Sequence, residues 1–169
     1  MTSDEKSGAL DGLRVLDLTR ILAGPLCGQM LGDMGADVIK VEPPAAGDDT
    51  RTWGPPFTES GESAYFLGIN RNKRSVTLNM ASKPGQEILQ QLIRKVDVVI
   101  ENFKLGTLEK WGITNEWLEK NAPRAIRCSI TGYGSTGPKA GLPDGVVPAS
   151  ATVAPSPRVR SVVNNRRSP

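Results

Sequence analysis

Gly132, Gly134 and Gly137 stand in a G-x-G-x-x-G spacing behind a short apolar run, an arrangement that lets main-chain amides approach a phosphate. Pro138, Gly141 and Pro143 follow at once and stop a helix from starting there, so a pyrophosphate would find no helix end to meet. The spacing thus argues against a nicotinamide or flavin site. It leaves a flexible glycine loop beside an active site, or a plain turn. A second turn, Ala23-Gly24-Pro25 with Gly28 behind it, also lets a ligand come close to the main chain. Arg71, Lys73 and Arg74 crowd cations together, which fits either a solvated charge cluster or capture of a polyphosphate. Asn102-Phe103 follows an apolar run directly. An amide and a ring there suit an amide- or adenine-bearing ligand, and a structural role is equally open. Glu42 closes another strand-like run, where an acid often reads a ribose, although the spacing is not a dinucleotide fingerprint.

What is lacking narrows the chemistry. The 169 residues hold no histidine, so Ser-His-Asp, Cys-His and His-bearing metal sites cannot be built from them. Carboxylates, main-chain amides, Lys, Arg, Tyr or a bound cofactor must carry any reaction, and no metal site is expected. Cys27 and Cys128 lie in apolar stretches far apart in sequence. They read as small buried hydrophobes, with a reactive thiol as the alternative, and a disulfide framework is not expected. The net charge of +3 is carried by the tail: residues 145–169 hold four arginines and no acid, which leaves 17 basic residues facing 18 acidic ones before it. A nucleic-acid surface on the body is therefore not expected. No apolar run approaches the roughly 18 residues of a membrane span. Met1–Leu10 lacks the apolar core of a secretory signal and is too acidic for a transit peptide.

The elements that position these groups read as an α/β domain with a mostly parallel, Rossmann-like sheet. Leu13–Leu18 alternates as a strand, and Pro25–Met34 forms a helix with Leu26, Met30, Leu31 and Met34 on one face. Asp37–Val41 is the next strand, giving a β–α–β unit. Glu42–Gly61 is a long excursion rich in Pro, Gly and Asp, of the kind that covers something. Ser75–Asn79 predicts a strand, and Pro84 opens a helix with Ile88, Leu89, Leu92 and Ile93 on one face. Val96–Ile100 is nearly all apolar, as expected for a strand covered on both faces. Short helices near Thr107–Trp111 and Asn115–Lys120 lead to a last strand, Ala125–Ile130. Residues 1–9 read as flexible and 10–143 as one domain. Residues 144–169 read as a disordered tail with too few large apolar side chains to offset its ordering entropy.

Several segments, in their order and spacing, resemble family III (CaiB/BaiF-type) coenzyme A transferases. They are LDGLRVLDLTRILAGP (10–25), LGDMGADVIKVEPPAAGDDTRTWGPP (31–56), YFLGINRNKRSVTLN (65–79), DVVIENFKLGTLEKWGI (97–113) and CSITGYGSTGP (128–138). The likeness is closest to the dicarboxylate members, such as succinyl-CoA:glutarate transferases. It implies the N-terminal part of a split large domain from a chain roughly twice this length or more, in relatives that form interlocked homodimers. It implies that coenzyme A, as acyl-CoA, lies along Ile21, Leu22 and Ala23, with Asn102 and Phe103 beside it and Lys110 near its phosphates. Lys73 and Arg74 join this set as phosphate captors, and Thr131 stands by the glycine loop where some members have Lys. Pro43 departs from members that carry Arg there.

The resemblance also implies an aspartate nucleophile in a G-Y-D motif shortly after the glycine loop. Here Gly145 and Val146 occupy the Tyr and Asp positions, and Asp144 comes two residues early. At about 3.3 Å per residue that slip misplaces the carboxylate far beyond the ~1 Å that costs about a hundredfold in rate. No catalytic residue is therefore expected in this chain. The expectation is a truncated, inactive member whose last residues come from a frameshift, an alternative splice end or a mis-predicted gene. Transfer of CoA between an acyl-CoA and a carboxylic acid is the favoured activity of the family line. An acyl-CoA racemase of the same superfamily and a binding module with a basic tail are the alternatives. The cytoplasm is the expected compartment, with the mitochondrial matrix as the alternative.

Overall fold

Short aliphatic runs separated by helix-forming stretches favour strands side by side with helices across their faces. The computed structural model describes residues 8–136 and 138–140, and the backbone of 150–154. It begins with strand β1 (Arg14–Asp17), helix α1 (Ala23–Asp33) and strand β2 (Asp37–Glu42). A 3-10 turn (Asp49–Thr52) and helix α2 (Ala64–Asn70) lead to β3 (Lys73–Thr77). Helix α3 (Lys83–Ile93), β4 (Val98–Glu101), α4 (Thr107–Lys110), α5 (Asn115–Asn121), β5 (Ile126–Thr131) and β6 (Ser150–Ala154) follow. The sheet order is β3-β2-β1-β4-β5-β6. Strands β1 to β5 pair in parallel, and β6 returns antiparallel on β5.

Side chains alternate across the sheet and build a core on each face. On one face Leu16, Leu18, Val41 and Val99 meet Leu89 and Ile93 of α3, Leu108 of α4 and Ile113. On the other, Val15, Val38, Ile100 and Ile130 meet Ala36, with Cys27 and Leu31 of α1 packed against them. Helix α3 forms where the pattern predicts: the Ser82 hydroxyl accepts from Gly85 N at 3.2 Å, Pro84 sits in the first turn, and Leu89 and Ile93 are buried.

The departures from the sequence reading have local causes. The apolar stripe of α1 is not the buried face: Leu26, Met30 and Met34 are exposed, and Gly24, Pro25, Gly28 and Gln29 turn inward. Polar side chains lie beneath the two glycines, where a Cβ would meet Thr19 at Gly24 and Asp17 at Gly28, and of the expected stripe Leu31 alone packs against the core. Strand β3 starts two residues before the expected Ser75, because an edge strand tolerates the polar Lys73 and Arg74. The excursion is not wholly irregular, since it holds the 3-10 turn, and α2 follows it unforeseen. Strand β6 falls inside the stretch read as disordered tail. Its β-branched and small residues lie against the edge of β5, with Cys128 opposite Val153.

Candidate functional site

The chain runs outward from β1 to β3, then crosses back to β4 beside β1. Helix α1 leaves toward one face and α4 toward the other, so the carboxyl ends of β1 and β4 are the topological switch point of the sheet. In open α/β sheets this reversal is where ligands bind. Leu18 N donates to Ile100 O at 2.9 Å and carries the pairing to the rim. Beyond it the Asn102 side chain brackets one residue of the facing turn. Its Nδ2 donates to Arg20 O at 2.9 Å, and its Oδ1 accepts from Arg20 N at 3.0 Å. The Arg20 guanidinium pairs with Asp49 at 2.7 Å.

The next residue, Ile21, has φ 71°, a left-handed conformation that a β-branched side chain rarely adopts. The bracket over-determines the turn and holds it there. Ile21 and Leu22 are consequently presented to solvent at 41% and 43% exposure, with Ala23 also exposed at the start of α1. Phe103 N donates to Glu101 Oε2 at 2.9 Å, and its ring meets Trp111 edge-on with centroids 5.2 Å apart. At the end of β5 the Thr131 hydroxyl accepts from Gly134 N at 2.8 Å. Gly134 has φ 79°, which glycine adopts freely.

Under this rim lies a buried ionic array that the sequence reading missed. Asp17 Oδ1 accepts from Thr19 N at 2.9 Å, and Asp17 Oδ2 from Lys73 Nζ at 2.8 Å. Lys40 Nζ donates to Thr19 O at 2.9 Å and pairs with Asp48 at 2.9 Å, both side chains 1% exposed. Glu42 receives Arg51 through two nitrogens at 2.6 and 2.7 Å, Ser75 Oγ at 2.6 Å and Asp48 N at 2.9 Å. Burial works to raise the Glu42 carboxyl, but these donors outweigh it and hold it at about 2. Asp48 is likewise held below the usual carboxylate range: burial raises it, and Thr50 and Lys40 prevail. The array staples the excursion to the sheet and fixes the turn after β1 from below. A charged residue at a buried register position, Asp17 in LRVLDL or Lys40 in DVIKV, was the signal available in the sequence.

Of the expected ligand positions, the fold gathers Ile21, Leu22, Ala23, Asn102, Phe103 and Thr131 at the carboxyl ends of β1, β4 and β5. Lys110 is the exposed last residue of α4. Two positions belong elsewhere. The Lys73 ammonium spends its three donors on Asp17, Pro25 O and Asn70, and its side chain is 2% exposed, so no phosphate reaches it. Burial pushes this lysine down despite Asp17. Arg74 pairs with Asp37 at the opposite, amino-terminal end of the sheet. Arg71 pairs with Asp33 in the same way. The Glu42 carboxylate, saturated by its donors, has no capacity left for a ribose. Gly137, Asp144 and Val146 lie outside the described residues, so neither the third glycine nor the expected loss of the nucleophile has a geometry here. Among the described residues no cluster of three metal-ligating side chains occurs, and no helix is long and apolar enough to cross a membrane.

The sequence profile of CoA-transferase family III matches residues 10–154. The chain belongs to that family. A succinyl-CoA:glutarate CoA-transferase of Mus musculus is 54% identical over 129 residues, which are 76% of this chain and 29% of the mouse protein. A succinate–glutarate CoA-transferase of Agrobacterium fabrum is 53% identical over 136 residues, 78% of this chain and 34% of its own. Among solved structures, a CAIB/BAIF family protein from Brucella suis superposes with a TM-score of 0.77 at 54% identity. It covers 82% of this chain and 37% of its own. The family III chain described here thus spans about a third of the length of the relatives it matches. The family match runs past residue 143, where the sequence reading had ended the domain, and takes in β6.

Proposed function

We propose that this chain forms the coenzyme A cradle of a dicarboxylate CoA-transferase, with acyl-CoA lying across the rim at the reversal between β1 and β4. Ile21, Leu22 and Ala23 line one side, Asn102 and Phe103 the other, with Lys110 and Thr131 toward the phosphates and the glycine loop. The observation that carries the reading is the Asn102 bracket on Arg20, which holds Ile21 left-handed at the point where a ligand enters. Family membership and the high identity to succinyl-CoA:glutarate transferases support the acyl-CoA and dicarboxylate part.

Family chemistry needs a carboxylate nucleophile. It attacks the thioester carbonyl, the C–S bond breaks, and a mixed anhydride forms with free thiolate. The thiolate then attacks the enzyme's own acyl carbon, releasing the donor carboxylate and leaving an aspartyl-CoA thioester. Main-chain amides such as those of the glycine loop stabilise the oxyanions. In this sequence Val146 stands at the nucleophile's position, so the 169-residue chain binds CoA and does not turn over.

Two measurements separate these claims. Calorimetric titration with CoA gives saturable binding if the cradle is correct, and no heat of binding would remove it. Exchange between succinyl-CoA and labelled glutarate stays at background if the nucleophile is missing. Clear turnover by this chain would overturn the inactivity while leaving the cradle standing.

A further inference from the structure

Val99 and Glu101 share the face of the sheet that carries α4, and the register sets Arg127 and Ser129 of β5 beside them. The Glu101 side chain is 4% exposed, and its Oε2 accepts from Phe103 N at 2.9 Å. Its Oε1 accepts from the Ser129 hydroxyl and from Arg127 Nη2, the latter at 3.0 Å. The other arm of the same guanidinium, Nη1, donates to Glu109 Oε1 of α4 at 3.0 Å. We propose, resting on the cradle reading in which Lys110 meets the phosphates of CoA, that Arg127 is a positioning residue of the coenzyme site: by bridging Glu101 and Glu109 it fixes α4, and with it Lys110, against the turn that carries Phe103.

Helix α4 needs such a brace. It has four residues, starts from Gly106 at φ 82° and has no side-chain cap. A single turn is not held by its own hydrogen bonds. Leu108 is its one buried residue. An apolar anchor of that kind is non-directional. The Glu109–Arg127 bond has a direction, and Glu109 stands next to Lys110 in the chain. The guanidinium presents separate nitrogens to the two carboxylates in a fixed planar fork, which a lysine ammonium cannot do. Burial works to lower the Arg127 guanidinium, but Glu109 and Glu101 prevail and hold it raised, so the bridge stays charged. Charge alone predicts the opposite of a brace at Glu109. An acid beside a polyanion site repels the ligand, so deleting it on electrostatic grounds strengthens CoA binding. If Glu109 holds α4 in place, deleting it weakens binding instead.

Calorimetric titration of the full chain with CoA tests the brace. Glu109→Ala leaves the buried Glu101–Arg127 pair intact, so the test stands even where Arg127→Met, which strands the Glu101 carboxylate, fails to fold. Glu109→Ala should weaken CoA binding about fivefold, and Glu109→Gln, whose amide oxygen still accepts from Arg127, should bind at least as tightly as the unaltered chain. In a Lys110→Ala background, Glu109→Ala should cost less than about twofold, because the group it positions is gone. Amide hydrogen exchange across α4 should quicken in Glu109→Ala and not in Glu109→Gln. Undiminished CoA binding by Glu109→Ala would overturn the proposal. So would equal losses in the alanine and glutamine variants, or a loss that persists in full when Lys110 is absent. No CoA binding by the unaltered chain removes the cradle, and the brace with it.

Discussion

One side-chain amide sets the shape of the rim. Asn102 supplies partners to both main-chain groups of a single residue, the Arg20 N–H and C=O, giving the turn after β1 a fixed hydrogen-bonded frame in place of water. Without that frame Ile21 has no reason to remain left-handed. Asn102→Ala should therefore lower CoA affinity about tenfold and stability by roughly 1–2 kcal/mol, the scale of two lost hydrogen bonds at a half-exposed site. Titration calorimetry and thermal melting read the two effects separately. Ile21→Gly tests the same idea from the other side, since it removes the strain and should raise Tm slightly while loosening the ligand. Neither the bracket nor the strain was legible in the sequence. Asn102 and Arg20 are 82 positions apart, and only the adjacency of β1 and β4 brings them together. The opposite failure befell Arg71, Lys73 and Arg74. Their local clustering suggested a phosphate, but their counter-charges Asp33, Asp17 and Asp37 come from elements far earlier in the chain.

At the scale of elements, the buried array and helix α1 depend on each other. A Cβ added at Gly28 would meet Asp17 Oδ2 at 2.7 Å and Lys73 Cε at 3.4 Å. Alanine gains roughly 1 kcal/mol over glycine inside a helix, but here the neighbours are a buried ion pair with every partner fixed. Overpacking outweighs propensity, so Gly28→Ala should destabilise by about 1–3 kcal/mol in denaturant unfolding. The array also sets an acid limit. The Glu42 carboxyl is held at about 2 in the folded chain and returns toward its ordinary 4.5 on unfolding. A depressed carboxylate stabilises above its unfolded value, and that contribution fades as pH falls through the folded one. Stability should thus drop by on the order of 3 kcal/mol between about pH 4.5 and 2, and Asp48, whose ordinary value is 3.8, adds to the loss only at the lower end of that range. Glu42→Gln should flatten that decline in urea titrations. The βαβ alternation itself was readable because core strands such as VDVVI carry their burial in their composition. Helix α2 was not, because seven residues with an internal glycine show no period.

Among the described residues, two surfaces without a partner differ in chemistry. One is the outer edge of β3, where Arg74, Ser75 and Thr77 are exposed beside a single half-exposed valine, Val76. Charge and hydroxyls along an edge discourage further strand pairing. The other is the outward stripe of α1, where Leu22, Leu26, Met30 and Met34 recur every four residues at 43%, 46%, 53% and 48% exposure. Such spacing makes a continuous apolar ridge, with Ile21 at its end. Apolar ridges of this kind associate in water, and salt strengthens rather than screens the attraction. The purified chain should therefore self-associate with rising concentration in sedimentation velocity, more so in sulfate. The double substitution Leu26→Lys and Met30→Lys should suppress that association while changing unfolding free energy by only about 0.5 kcal/mol, since neither side chain is buried. Val76→Lys should leave association as it was. If the edge substitution suppresses it and the helix pair does not, strand pairing at β3 is the contact and the ridge is not.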